Sequence, residues 1–248
     1  MTNPFILWES YSQENKQLFF GREKDVKAIK SMLSNHHPVL FGSSGSGKSS
    51  ICKAGLIPDF YIEDYSDQYL KNVFGSLADF LNSFNTFTGR HPKKPFILLI
   101  LDQFEKLFYD RYSNINFIEQ LIKAILPLQN FRLLISIREE NLGDLFSFSL
   151  SNRFSLLNDD TGYHLKKMEN SKIFEVVKKN FNKSGVNISD RVVGLIIDII
   201  DKTCHGVELS EVQAVCYELF EKYFNQINEV NQETVFSIID RYYEKLFS

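Results

Sequence analysis

Apolar positions along the chain follow two rhythms, and the change from one to the other divides it. Val39, Leu40 and Phe41 make a short apolar run, and longer ones stand at Pro95 to Asp102 (PFILLILD) and Phe131 to Arg138 (FRLLISIR). Continuous apolar runs of this kind belong to parallel strands covered on both faces. Phe60–Ile62 and Tyr163–Leu165 are weaker strand candidates. Elsewhere apolar residues recur at helical spacing. Val26, Ile29 and Leu33 mark one helix, and Leu70, Val73, Phe74, Leu77, Phe80, Leu81 and Phe84 a second. Ile115, Ile118, Leu121, Ile122 and Ile125 mark another over 114–126. Beyond residue 168 only the helical rhythm remains, over 170–182, 190–203, 208–225 and 232–247. Ser189–Asp190 and Asn231 stand where helix N-caps belong. The pattern predicts an α/β domain over 1–168, a parallel sheet with helices on both faces, followed by a smaller all-helical domain over 169–248. Residues 1–20 read as an irregular lead-in.

Composition narrows the class. With 248 residues, 44% of them hydrophobic, the chain can bury one large core, or one plus a small one. Its net charge of −3 gives no global basic footprint for nucleic acid. Lys93–Lys94, Lys166–Lys167 and Lys178–Lys179 are short pairs that read as solvated faces. Cys52, Cys204 and Cys216 show no metal-ligand spacing and fit the reduced thiols of a cytoplasmic protein. The opening NPFILW is too short for a signal peptide, and Glu9 ends it. No apolar run approaches membrane-spanning length, so no membrane partner is expected.

Chemistry enters at residues 42–49, GSSGSGKS, which fit the phosphate-binding pattern G-x-x-x-x-G-K-[ST]. Gly42, Ser43, Ser44, Gly45, Ser46 and Gly47 form a loop whose backbone N–H groups wrap a phosphate, and its glycines keep side chains out of the way. Lys48 reaches toward β- and γ-phosphate oxygens, Ser49 supplies a hydroxyl to Mg²⁺, and Ser50 continues into the helix. A flexible Gly/Ser linker is the bland alternative, but linkers seldom separate an apolar strand from a helix. Asp102 ends the 95–102 strand, where a carboxylate suits Mg²⁺, and Glu105 suits the orientation or deprotonation of a water. Arg138 ends the next strand and suits stabilisation of transferred charge, against a plain salt bridge to Glu139 or Glu140. Arg22 either lies near a base or caps the sheet edge. Arg153 is a candidate arginine finger for a neighbouring subunit, with a plain surface arginine the stronger reading.

Together these segments resemble the STAND branch of AAA+-like P-loop ATPases, in particular the bacterial novel-STAND group. The resemblance rests on FFGRE at 19–23, GSSGSGKSS running into KAGLIP over 42–58, ILLILDQFEKLF at 97–108, LLISIREENLGDL at 133–145 and GVELSEVQAVCYELF at 206–220. It implies that Lys48 and Ser49 bind phosphate and Mg²⁺, that Asp102 and Glu105 are the Walker B pair, and that Arg138 is the sensor at the next strand end. It further implies that Gly21–Arg22 lies by the adenine and that 206–213 is the helical-domain motif over the nucleotide. Lys106 replaces a usual second Glu, and Ser210 a common Pro. Group members normally continue into a winged-helix domain and a repeat-containing sensor. The resemblance therefore implies an excised or minimal core, or action with separate sensor and effector proteins. The expectation is a Mg²⁺-dependent ATPase module cycling between ATP and ADP to control homo-oligomerisation in signalling or antiviral defence. The alternative from another class is a nucleotide-holding scaffold with negligible hydrolysis. A motor on nucleic acid is disfavoured by the acidic balance.

Overall fold

The computed structural model describes residues 3–7, 9–76, 78, 80, 96–204 and 207–247. Its strands are β1 (Val39–Gly42), β2 (Phe60–Ile62), β3 (Ile97–Leu101), β4 (Phe131–Arg138) and β5 (Gly162–His164). Its α-helices begin with α1 (Glu23–Leu33), α2 (Lys48–Ser50), α3 (Asp67–Phe74), α4 (Lys106–Tyr109), α5 (Ile115–Ile125) and α6 (Leu142–Asn152). They continue with α7 (Asn170–Lys183), α8 (Asp190–Cys204), α9 (Leu209–Tyr223) and α10 (Gln232–Phe247). The chain divides into two compact units.

One unit comprises Asp25–Ser44 and Leu56–Leu165 and holds the sheet. Its order is β2-β3-β4-β1-β5, and every pairing is parallel. The strands' carboxyl ends therefore share one edge. The connection out of β1 runs toward the β2 edge, and that out of its neighbour β4 toward the β5 edge. Such a divergence marks the crevice where parallel sheets bind ligands.

Strand position explains how clearly each strand reads in the sequence. β3 is buried at all five positions, and β4 at six of eight. Edge strand β2 has one buried residue and edge strand β5 none, so neither shows a continuous apolar run. Ile97, Leu99 and Leu101 of β3 join Leu133, Ile135 and Ile137 of β4 in one core with Leu70, Phe74, Ile118, Leu121, Leu145 and Phe148 of the helices. The alternate residues Leu98, Ile100 and Leu134 are buried as well, as a sheet covered on both faces requires.

Local chemistry sets the helix ends. Asn114 Oδ1 accepts from Phe117 N at 2.9 Å and starts α5. α3 stops at Phe74, where Gly75 turns to φ +65°, short of the helix extent that the apolar spacing predicts. Phe80 packs edge-on to Phe74, ring centroids 4.6 Å apart, while Leu77, Leu81 and Phe84 lie outside the described residues.

The other unit comprises Met1–Lys24, Gly45–Gly55 and Lys166–Ser248. α7 to α10 enclose a core that includes Ile173, Val177, Phe181, Ile196, Leu219 and Val235. Phe5 of the lead-in is buried in that core, its ring centroid 4.8 Å from that of Phe181. The lead-in also contains a 3₁₀ turn, Gln13–Leu18. Asn231 caps α10 as expected, its Oδ1 accepting from Thr234 N at 3.0 Å. Ser189 differs: its hydroxyl is buried without a partner among the described residues, and its carbonyl accepts from Val192 N and Val193 N. Cys52 and Cys216 are buried, and burial pushes the Cys216 thiol up, which keeps it unreactive. Among the described residues no helix is long and apolar enough to cross a membrane.

Candidate nucleotide-binding site

β1 ends at Gly42, in register with Arg138 of β4. The chain then turns through Ser43 and Ser44 into a loop with two left-handed residues, Gly45 at φ +71° and Gly47 at φ +94°. A Cβ at Gly45 would also crowd the end of the Glu208 side chain, with Oε2 at 3.1 Å, and would touch Ser210 Oγ at 3.7 Å. Gly47 immediately precedes Lys48, the first residue of α2. Lys48, Ser49 and Ser50 thus make the first helical turn, and the chain continues as a π-helix over Ile51–Leu56. Ile51 and Ala54 of this segment are both buried. Local π-helix frequently accompanies functional sites.

Ser46 has a buried hydroxyl without a partner among the described residues. An uncompensated buried hydroxyl is costly, and an acceptor such as a phosphate oxygen would satisfy it. The loop is also braced from behind. The buried Arg22 donates from Nη2 to Ser46 O at 2.8 Å and to Lys166 O at 3.0 Å. Of the two sequence readings for Arg22, a base contact or a sheet-edge cap, the structure shows neither directly; its guanidinium ties loop backbone to the backbone that follows β5. Gly21 packs so closely on α7 that a Cβ would lie 2.6 Å from Val176 Cγ2. Ser50 Oγ accepts from Tyr11 N at 3.2 Å. Lys167 Nζ lies 3.4 Å from Glu208 Oε1.

In the sheet unit, acidic residues gather at the exits of β3 and β4. Asp102 is 1% exposed. Its Oδ2 accepts from Tyr61 Oη at 2.5 Å, and its carbonyl from Tyr65 Oη at 2.7 Å. Its Oδ1 is buried with no partner among the described residues. A buried, unpaired carboxylate oxygen is expensive, and a hard cation is the partner that suits it. Among the described residues no group of three or more His, Cys, Asp or Glu could hold a metal unaided. Mg²⁺ needs none, since it takes one or two protein ligands and completes its shell with phosphate and water. Asp102 and the hydroxyl of Ser49 are donors of the right class.

Gln103 takes a left-handed turn at φ +51°, and Phe104 N donates to Ser136 O at 2.9 Å, holding the turn against β4. Glu105 is buried, and both its oxygens are engaged by one residue. Arg138 Nε lies 3.2 Å from Oε1, and Arg138 N donates to Oε2 at 3.3 Å. The expected bland partners of Arg138 are secondary: Glu140 Oε1 is 3.9 Å from Nη1, and Glu139 pairs with His164 at 3.0 Å instead. Arg153 is exposed and left-handed at φ +58°, and its N donates to Leu150 O as it ends α6. Sequence reasoning did not single out Tyr61, Tyr65 or Glu208. Tyr61 reaches the site only because β2 pairs with β3, setting Tyr61 opposite Ile100, and no local motif announces that register.

A family model described as Novel STAND NTPase 1 matches residues 4–231. No curated protein matches the sequence. Among solved structures, a Walker-type ATPase, PABY2304 of Pyrococcus abyssi, superposes with a TM-score of 0.70 at 15% identity, covering 98% of this chain and 77% of that one. The ORC2 protein of Aeropyrum pernix, described as ADPNP–ADP complexes, gives 0.61 at 12% identity, with 88% and 67% covered. An ADP complex of Hsp104 of S. cerevisiae gives 0.55 at 15% identity, covering 90% of this chain but only 41% of Hsp104. At such identities the likeness is one of fold.

Proposed function

The chain belongs to the Novel STAND NTPase 1 family, and on that premise we propose that it is a Mg²⁺-dependent ATPase module that switches self-association in a signalling or defence pathway. The observation that carries this reading is the loop between β1 and α2, with left-handed Gly45 and Gly47 leading into Lys48. Adenine is supported by the adenine nucleotides that the descriptions of the ORC2 and Hsp104 structures name. The absence of a guanine-reading N-K-x-D stretch agrees with it.

In this reading the loop amides and the Ser46 hydroxyl hold phosphate oxygens, and Lys48 neutralises them. Ser49 and Asp102 would hold Mg²⁺, which when bound supplies charge neutralisation on the phosphates. Glu105 orients the attacking water and takes its proton. Each of its oxygens is already bonded to Arg138, but a carboxylate oxygen has two lone pairs, so each retains one for the water. Arg138 keeps Glu105 fixed and brings positive charge toward the oxygens of the transferred phosphoryl group.

The test is paired. Lys48→Ala is expected to abolish binding of a fluorescent ATP analogue. Glu105→Gln is expected to retain binding while phosphate release falls about 100-fold or more, the usual share of a general base. Unchanged phosphate release in Glu105→Gln would overturn the assignment of Glu105. Bound ATP that never turns over in the unsubstituted protein favours a scaffold. The specific support for that second reading is the double engagement of Glu105 by Arg138.

A further inference from the structure

The two oxygens of the Asp102 carboxylate differ in kind. Oδ2 receives the Tyr61 hydroxyl at 2.5 Å, while Oδ1 is buried without a partner among the described residues. The backbone on either side is fixed independently. Asp102 N donates to Ile62 O at 2.8 Å, and Tyr65 Oη donates to Asp102 O at 2.7 Å. What fixes the rotation of the carboxylate itself is the Tyr61 contact. Tyr61 Oη also lies 3.2 Å from Glu63 Oε2. A phenol carries one proton, and the shorter contact directs that proton toward Asp102 Oδ2 rather than Glu63.

We propose that Tyr61 is a positioning residue for the divalent cation: by holding Asp102 Oδ2 it presents Oδ1 to Mg²⁺, and so sets the protein's affinity for the metal. This rests on the Mg²⁺-dependent reading above. Groups that hydrogen-bond a metal's ligand orient it and tune its basicity, and losing one typically costs about 10–100-fold in metal affinity. Tyr61 suits the task because its ring is anchored on edge strand β2, whose pairing with β3 sets the reach of the hydroxyl. Phenylalanine keeps the ring and removes only the donor.

The experiment uses the full chain and a fluorescent ADP analogue, titrated with Mg²⁺ and, separately, in excess EDTA. Tyr61→Phe is expected to raise the Mg²⁺ concentration for half-maximal response about 10-fold or more, while affinity in EDTA stays within about twofold. Glu63→Gln removes the negative charge beside Tyr61 while keeping an acceptor oxygen, and is expected to leave the Mg²⁺ response within about twofold of the unsubstituted protein. A Mg²⁺ response unchanged in Tyr61→Phe overturns the proposal. So does an equal loss of binding in EDTA, which would make the hydroxyl a general structural group. A Glu63→Gln protein as impaired as Tyr61→Phe also overturns it, by assigning the effect to local negative charge. If the unsubstituted protein binds the analogue with no response to Mg²⁺, the Mg²⁺-dependent reading itself fails, and the role of Tyr61 with it.

Discussion

Arg138 and Glu105 show how one contact serves stability and chemistry unequally. The Arg138 side chain is 50% exposed, so the pair contributes no more than about 1 kcal/mol to folding. Its value lies in what it does to Glu105, a buried carboxylate that has no other salt-bridging cation among the described residues. Arg138→Ala is therefore expected to shift thermal unfolding by only a few degrees. It should slow phosphate release about 100-fold or more, with nucleotide affinity little changed. A large drop in melting temperature together with an unchanged rate would assign Arg138 to the scaffold alone. Gly45 is the opposite case, where the left-handed backbone itself sets the requirement. Alanine there meets both the left-handed backbone and Glu208 Oε2 at 3.1 Å. Gly45→Ala is expected to cost about 1–2 kcal/mol by chemical denaturation and to weaken nucleotide binding. Lys48, Ser49, Asp102, Glu105 and Arg138 can be named as candidates from the sequence because each sits beside an unmistakable local signal: a glycine loop, or the end of an apolar strand. Tyr61 and Glu208 cannot, because residues distant along the chain bring them to Asp102 and Gly45.

At the scale of elements the same division between local and distant determinants recurs. β3 and β4 are sheltered between neighbouring strands, and burial on both faces writes a continuous apolar run. β2 and β5 are edges, and their half-exposed residues leave only a faint trace. α3 runs shorter than its apolar spacing implies because Gly75 adopts a conformation the spacing does not encode. α6 is hidden for another reason. Phe146, Phe148 and Leu150 alternate with serines, a strand-like period laid over a helix whose buried face is Leu145, Phe148 and Ser149. The two periods can be separated experimentally. Leu145 is fully buried and Phe146 is 55% exposed. Leu145→Ala is expected to destabilise the protein by about 2–5 kcal/mol. Phe146→Ser should change stability by less than about 0.5 kcal/mol. A strand-like α6 would make Phe146 and Phe148 equivalent, and equal losses from Phe146→Ser and Phe148→Ser in urea titrations would refute the helical face.

At the scale of the whole molecule, the surface bears on how a nucleotide switch would be read out. A net charge of −3 leaves little self-repulsion to oppose association of like copies. Phe146 and Leu150 stand exposed four residues apart, which puts them on one face of α6, and the exposed Arg153 ends that helix. If ATP drives self-association through this face, Arg153 is placed to act on a neighbouring copy. Phosphate release per chain would then rise with protein concentration, and light scattering would show a larger mass with ATP than with ADP. Arg153→Ala is a clean probe, because alanine at φ +58° carries much the same backbone strain as arginine, so the fold is not relieved or burdened. The expected result is an unchanged melting temperature, unchanged ATP affinity, and loss of the concentration-dependent part of the rate. Phe146→Ser should lower the ATP-bound mass without touching the rate measured at high dilution. A rate per chain that is flat with concentration would remove Arg153 from the mechanism and leave each copy to hydrolyse ATP with its own Arg138.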